Sequence, residues 1–309
     1  MNPQPTTLSR AAAVIGALVG LLAVVAAGAG VFLRGDLATM SFTTVRGEVV
    51  DTVSSGLYRF NGLTVASEGV GWDIVTLFLV TPALLLVVPD VWRGSLRARL
   101  LATGLLAYFA YQYLEYAMFL AYGPLFLVYV AIFGLALSGL ALLAGSFDLG
   151  EVADRFSERF PRRAVAGLGA FMALLLAEMW LPMILASLDQ AVVEPLDGAT
   201  TLVVQALDLG LLVPLGIFTA VAVARRLPIG YLLASLIVVK AVAMPVAILA
   251  MLIVEALATD ELAVVPIAVF AATAATAAAI GWRVYGSIRP GHDAGQALLG
   301  QPRRAGAEA

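Results

Sequence analysis

Long apolar runs alternate with short polar segments along almost the whole chain, and this pattern predicts a bundle of eight membrane-spanning helices. An α-helix needs about 20 mainly apolar residues to cross the hydrocarbon core of a bilayer. Residues 108–144 contribute two of the helices, joined by a tight turn at Gly123-Pro124. The fold class that follows is an all-α integral membrane bundle. The other six helices are expected at about residues 11–33, 72–89, 164–188, 201–224, 228–255 and 262–282.

Three polar segments lie outside the apolar runs. Residues 34–71 are the longest, and their alternation of polar and apolar side chains favours a short β-hairpin that caps the bundle on its extracytoplasmic side. Residues 146–163 are charged and amphipathic, which predicts a short interfacial helix on the cytoplasmic side. The polar tail at 287–309 is expected to be disordered, so residues 1–286 would form a single transmembrane domain.

The distribution of basic residues predicts the orientation of the chain. With eight spans and a cytoplasmic N-terminus, 14 of the 18 Lys and Arg residues lie on the cytoplasmic side, because Arg34, Arg46 and Arg59 are outside and Lys240 is within a span. Cytoplasmic loops of membrane proteins are rich in Lys and Arg. We therefore expect a multi-pass protein of the cell membrane with both termini cytoplasmic.

The composition agrees with a membrane protein and narrows the chemistry. The chain is 61% hydrophobic and 13% charged, whereas soluble domains carry about 25% charged residues. It has no cysteine, and its single histidine, His292, lies in the polar tail. Disulfides, thiol nucleophiles, histidine pairs and Cys- or His-based metal sites are therefore not expected, and neither is a cofactor. An enzyme would have to work with carboxylates alone, so a non-enzymatic role is favoured.

The two halves of the chain share a plan that is compatible with an internal repeat. Each half would have four spans, with an acid near the start of its second helix (Asp73, Asp208) and a charge in its third (Glu115, Lys240). An even number of spans in each unit implies two parallel four-helix repeats. The alternative is that the two hydropathy patterns are similar without a repeat.

Four ionisable residues lie inside the predicted spans: Glu115, Glu178, Asp208 and Lys240. Each would cost roughly 2.5–3.5 kcal/mol at the middle of a bilayer on insertion scales. We therefore expect all four side chains to face the interior of the bundle and to meet there. Within this group, Asp208 and Lys240 are expected to form an ion pair or to belong to one network.

Polar neighbours extend these charges into a candidate pathway for an ion or solute. On the third helix, Tyr111 and Gln112 share one face with Glu115. Buried carboxylates can carry protons or hold a cation, whereas the alternative is a structural network that only fixes the positions of the helices. The candidate pathway residues are Glu115, Glu178, Asp208, Lys240, Tyr111, Gln112, Gln205 and Asp73.

Several segments resemble an uncharacterised group of prokaryotic polytopic membrane proteins. The matching stretches are WDIVTLFLVTPALLL, RGSLRARLLATGLLAYFAYQYLEYA, GPLFLVYVAIFGLALSG, VVQALDLGLLVPL and RRLPIGYLLASLIVVKA, within about residues 72–241. Members of the group often have Asn before Pro-Leu-Phe-Leu, where this chain has Gly123. The resemblance implies a multi-pass architecture and no particular chemistry.

These features favour a transporter or permease for an ion or small solute that uses buried carboxylates. Prolines inside several spans support this interpretation, since they break helices around a cavity. The alternative is a non-catalytic membrane sensor or assembly component that responds to something outside through residues 34–71. The expected partners are the lipid bilayer and a small solute or cation, with no nucleic acid and no metal, and the oligomeric state is left open.

Overall fold

The computed structural model describes residues 7–36, 38–190, 196, 198–259 and 262–289. Two five-residue π turns interrupt the helices: the first, Thr76–Val80, joins α2 to α3, and the second, Asp208–Leu212, joins α8 to α9. The helices are α1 (Thr7–Phe32), α2 (Leu63–Val75), α3 (Thr81–Trp92), α4 (Leu96–Phe119), α5 (Phe126–Gly145), α6 (Leu149–Arg155), α7 (Arg162–Ser187), α8 (Val203–Leu207), α9 (Val213–Ala224), α10 (Ile229–Thr259) and α11 (Val264–Gly286).

The described helices are those of a multi-pass membrane protein. Seven helical segments in the described ranges are long and apolar enough to cross a membrane. They are α1, the continuous segment from α2 through the first π turn to α3, α5, α7, the corresponding segment from α8 to α9, α10 and α11.

Helix α4 is as long as these segments, with 24 residues, but it is rich in polar and aromatic side chains. Most of its residues are buried against other helices. A helix that contacts protein on most of its surface does not need the uniformly apolar exterior of a lipid-facing span. The low hydropathy of α4 therefore follows from its central position.

A two-stranded antiparallel hairpin confirms the strand pattern predicted for the first polar segment. Strand β1 (Thr39–Thr43) pairs with β2 (Val49–Val53) in the register Thr39 to Val53 and Thr43 to Val49. Gly47 has a φ of 84° in the connecting turn, a conformation that costs glycine little because it has no Cβ. The predicted alternation does not continue as a further strand, because the chain enters α2 shortly afterwards.

The second span begins at Leu63, nine residues before the predicted start at Trp72. The segment Ser-Glu-Gly-Val-Gly reads as a loop in the sequence, but its glycines are sites of close helix packing. A Cβ at Gly69 would overlap the ring of Tyr58, and one at Gly71 would lie 2.5 Å from the backbone nitrogen of Met251 on α10. The predicted cap of residues 34–71 therefore includes the first two turns of α2.

Two other expectations about the bundle are wrong. Residues 146–163 form only the seven-residue helix α6, because Phe156 leaves the helix to pair with Ile288. This pairing also packs residues 287–289 against the bundle, so the start of the predicted disordered tail is ordered, while the rest of the tail lies outside the described residues. Helix α11 was expected to be enclosed by other helices, yet it packs mainly on α10 and leaves most of its alanine-rich surface exposed.

Helices α4 and α10 form the centre of the bundle. They contact one another, α4 also packs on α3 and α5, and α10 also packs on α2, α9 and α11. The two central helices approach closely at Gly104, where an added Cβ would lie 2.6 Å from a methyl group of Val239. Polar side chains of α4 and α10 are therefore held inside protein and away from lipid.

A constant offset of 132 residues relates the two segments that contain π turns. It relates the π turns themselves (Thr76 to Asp208) and the helices that follow them, α3 and α9 (Thr81 to Val213). Each of these helices has a proline at its second residue and ends at a residue with positive φ, Gly94 at 83° and Arg226 at 57°.

The same offset extends into the two central helices. Thr103 donates a hydrogen bond from its hydroxyl to the carbonyl of Arg99, and Ser235 does the same to the carbonyl of Tyr231. Local backbone geometry and side-chain hydrogen bonding thus coincide at a single register over residues 76–103 and 208–235.

Candidate functional site

A cavity of about 560 Å³ lies among α2, α4, α7, α8 and α10, in the half of the bundle nearer the hairpin. Its volume lies within the range of about 300–1,000 Å³ that is usual for small-molecule pockets. Carboxylates and aromatic rings share its walls, together with methionine and other apolar side chains. Its acidic lining residues are Glu68, Glu115, Asp208 and Glu255.

Glu115 lines this cavity from α4 and is 7% exposed. In the described part of the chain its carboxylate makes no hydrogen bond and no ion pair. It is nevertheless close enough to Asp208 and Lys240 for electrostatic interaction with both. The expectation that Glu115 faces the interior of the bundle is confirmed.

Asp208 is fully buried and begins the second π turn. The hydroxyl of Tyr111 donates a hydrogen bond to Oδ1 at 2.5 Å, and the indole Nε1 of Trp180 donates one to Oδ2 at 2.8 Å. Both carboxylate oxygens therefore have a neutral donor, supplied by two different helices, α4 and α7. This arrangement fixes the carboxylate in the wall of the cavity.

Lys240 approaches the same site from α10 by way of aromatic rings. Its Nζ lies 3.4 Å from the centroid of the Tyr111 ring and 5.5 Å from that of Trp72, and both distances are within the range of cation–π attraction. Within the described ranges Nζ has no hydrogen-bond partner and no acid within 4.0 Å. The predicted direct ion pair between Asp208 and Lys240 is therefore wrong, whereas the alternative of one network holds, because Tyr111 contacts both residues.

Glu178 does not belong to this cluster. Its side chain is exposed on α7 and does not line the cavity, so the expectation that all four intramembrane charges face inward is wrong at this position. Trp180 is two residues further along α7, and positions two apart lie on nearly opposite faces of a helix. Because the bond from Trp180 to Asp208 orients one face of α7 towards the cavity, Glu178 is on the other.

Asp73 is 1% exposed and forms a separate, closed site. The hydroxyl of Tyr58 donates to its Oδ2, and that of Tyr116 lies 3.3 Å from Oδ1. A Cβ at Gly30 of α1 would overlap the carboxylate, which shows how tightly the surrounding chain covers it. Asp73 was predicted as part of the pathway, but it does not line the cavity.

The two glutamines of the predicted pathway have different environments. Gln205 lines the cavity one turn before Asp208. Gln112 is 1% exposed, and both polar atoms of its amide lack a hydrogen-bond partner among the described residues. The structure thus gathers Tyr111, Glu115, Gln205 and Asp208 at one cavity, places Lys240 behind the ring of Tyr111, and leaves Gln112, Asp73 and Glu178 outside the lining.

The sequence interpretation missed two acids and two aromatic residues of the cavity: Glu68, Trp72, Trp180 and Glu255. Glu68 fell within the predicted cap, and Glu255 was read only as the end of a helix. A signal was available, because Met244, Ile248, Met251 and Glu255 recur at helical spacing and line one face of α10.

No family model, curated protein or solved structure matches this chain. In the ranges that the structure describes, the acidic side chains nowhere converge closely enough to hold a metal ion. The function is therefore inferred from the chemistry of the cavity itself.

Proposed function

We propose that this chain is a transporter or permease for a cation or small solute, with Glu115 as the residue that binds or exchanges the cation. The observation that carries this proposal is a cavity of about 560 Å³ within the helices, lined by a glutamate that has no hydrogen-bond partner in the described ranges. Ionisable groups within membrane spans are costly and usually mark ion or substrate pathways. Asp208, Tyr111 and Lys240 form a fixed network beside Glu115.

The two π turns are suited to movement of the helices around the cavity. A π turn breaks the regular hydrogen-bond ladder of an α-helix and is often found at functional positions. The second π turn begins at Asp208, so a change of its backbone would move a wall of the cavity. In many transporters, interrupted helices likewise surround the substrate site near the middle of the membrane.

We further propose that the chain consists of two parallel four-helix repeats. The offset of 132 residues supports this arrangement, and it pairs Asp208 with Thr76 and Lys240 with Tyr108. The sequence comparison had matched Asp208 with Asp73, and the backbone register instead pairs Asp73 with Gln205. The two proposed repeats would then meet at α4 and α10, on either side of the cavity.

We place the protein in the cell membrane with α4 as an eighth span, the hairpin outside and both termini in the cytoplasm. The concentration of arginines in the loops at the opposite end from the hairpin supports this orientation. The chain has no cysteine, so single cysteines introduced at exposed Val45 and Glu158 report accessibility directly. A membrane-impermeant thiol reagent should label V45C in intact cells and leave E158C unlabelled, and the reverse pattern would invert the orientation.

The transport proposal is tested by the flux of protons and alkali cations through vesicles that contain the full chain. Glu115→Gln preserves the shape of the side chain and removes its charge, so we expect the flux to be lost while the melting temperature in detergent is retained. Glu178→Gln is the matched control, because it removes a carboxylate that the cavity does not contain, and it should leave the flux unchanged. Equal fluxes from wild type and Glu115→Gln would contradict the role of Glu115.

A non-catalytic sensor is the second candidate function, and one observation favours it. A pocket of about 260 Å³ lies between the hairpin and the ends of the helices, with Phe42, Asn61 and Thr201 in its walls. A ligand bound there would contact both the cap and the bundle. Vesicles without flux for any tested cation, together with a ligand-dependent rise in melting temperature that Phe42→Ser removes, would favour this function over transport.

A further inference from the structure

We infer that the cavity binds an organic cation, such as an amine or quaternary ammonium compound with an apolar or aromatic body. This inference rests on the proposed function, because it names the class of solute for the same cavity. The arrangement that carries it is a partnerless buried carboxylate facing a space that is walled by aromatic rings.

The charge of the cavity favours a cationic ligand. Its lining contains Glu68, Glu115, Asp208 and Glu255, while the nearby ammonium of Lys240 is held behind the ring of Tyr111. Glu68 and Glu255 take part in other interactions, and Asp208 is satisfied by Tyr111 and Trp180. Glu115 therefore remains as the carboxylate in this lining that is available to a ligand.

The size and spread of the acids favour an organic cation over a metal ion. A metal ion binds where several ligand oxygens converge at about 2–2.6 Å. Among the described residues no three acidic groups converge in that way. A space of about 560 Å³ is instead the size of a pocket for a molecule with many non-hydrogen atoms.

The aromatic walls supply the second half of the recognition. Trp72, Tyr111 and Trp180 line the cavity beside its acids. The faces of such rings attract ammonium groups, and aromatic cages are a common way to bind quaternary ammonium ions. The position of Lys240 Nζ over Tyr111 and Trp72 shows that a cation is already accommodated by these rings.

The opposite wall is apolar and suits the body of such a ligand. Met179, Met244, Ile248 and Phe270 line the cavity and also a small adjoining pocket of about 40 Å³ between α7, α10 and α11. Helix α11 makes few contacts with α7, so this wall lies towards the surface that faces lipid. A ligand with a charged end and an apolar end would therefore place each end against matching side chains.

Binding to the purified full chain tests this inference with a matched pair of probes. Benzyltrimethylammonium and neopentylbenzene have the same shape, but only the first carries a charge. Trp72 and Trp180 lie in the cavity walls, so binding is followed by tryptophan fluorescence in detergent. We expect saturable binding of the cation and at least about tenfold weaker binding of the neutral analogue, which corresponds to the loss of one charge-assisted contact.

Variants locate the binding to the cavity. Glu115→Gln should weaken binding of benzyltrimethylammonium by about tenfold or more, and the exposed control Glu178→Gln should bind it as wild type does. Equal affinity for the charged and neutral probes would overturn the inference, and this comparison needs only the wild-type chain. Unchanged affinity in a folded Glu115→Gln variant would also overturn it.

Two further arms separate the sources of such a cation and the two proposals. The trimethylammonium group also occurs in choline lipid headgroups, so titrations in nanodiscs of phosphatidylcholine and of phosphatidylglycerol are compared. Competition in phosphatidylcholine alone indicates a lipid headgroup as ligand, and equal binding in both indicates a free solute. Binding without any flux in vesicles would leave this inference intact and contradict transport, whereas cation flux that depends on Glu115 without binding of the probe would do the opposite.

Discussion

The two π turns place very different chemistry on the same backbone. At the first, Thr76 Oγ1 and the hydroxyl of Tyr108 form a hydrogen bond of 2.7 Å, and both residues are 1% exposed. At the positions 132 residues later stand Asp208 and Lys240, which are charged, lack direct contact within 4.0 Å and adjoin the cavity. A neutral, closed pair in one half corresponds to a charged, open pair in the other.

This difference shows that the interrupted helix alone does not make a polar site functional. The first turn is next to Asp73, a carboxylate that is buried as deeply as Asp208, yet Tyr58, Tyr116 and the close approach of α1 fill the space around it. The second turn faces a space that no side chain of comparable size fills in the described ranges. The accessible space beside a carboxylate, rather than the carboxylate itself, distinguishes the two halves.

The largest expected effect comes from removing one charge of the second site. Asp208→Asn and Lys240→Met should each lower the free energy of unfolding by about 3 kcal/mol, because each leaves a buried charge without compensation. The double variant should lose about 0.5–3 kcal/mol less than the sum of the two, since both charges contact Tyr111. Thermal unfolding in detergent measures all three.

The first site provides the control for this cycle. Thr76→Val removes a neutral hydrogen bond and should cost only about 1 kcal/mol. Simple additivity of Asp208→Asn and Lys240→Met would show that the two charges are energetically independent. A loss for Thr76→Val as large as for Asp208→Asn would remove the contrast between the two halves.

A smaller effect should separate the closed carboxylate from the open one. Tyr58→Phe deprives Asp73 of a donor in a site that neighbouring chain covers closely, so we expect a loss of about 1–3 kcal/mol. Trp180→Phe deprives Asp208 of a donor beside a cavity that water can enter, so the loss should be about 1 kcal/mol or less. The same melting measurement applies, and equal losses would mean that the two sites are equally dry.

The smallest expected effect concerns the end of the helix that follows each π turn. Gly94 and Arg226 both have positive φ, which is strained for a residue with a Cβ. Arg226→Gly should therefore stabilise the chain by about 0.5–1 kcal/mol, and Gly94→Ala should destabilise it by about 1 kcal/mol. A destabilised Arg226→Gly variant would show that the guanidinium makes contacts worth more than the backbone strain.

Much of the bundle could be predicted because membrane helices carry their signal locally. Apolar runs indicated helices close to α1, α5, α7, α10 and α11, and the burial of Glu115, Asp208 and Lys240 followed from the cost of exposing charge to lipid. The failures occurred where packing overrides local pattern. At Gly69 and Gly71, residues that look like a loop allow close helix contact, and at Glu178 the rotation of α7 exposes a charge that composition alone would bury.

The sequence by itself determined that this is a multi-pass helical membrane protein with ionisable groups inside its spans, because hydropathy and charge act over each short segment. The tertiary structure alone decided which of those groups meet. Tyr111 lies between Asp208 and Lys240, and Trp180 turns Glu178 away from the cavity. Such contacts join residues far apart in the chain, and they depend on the rotation and depth of each helix, which no local pattern specifies.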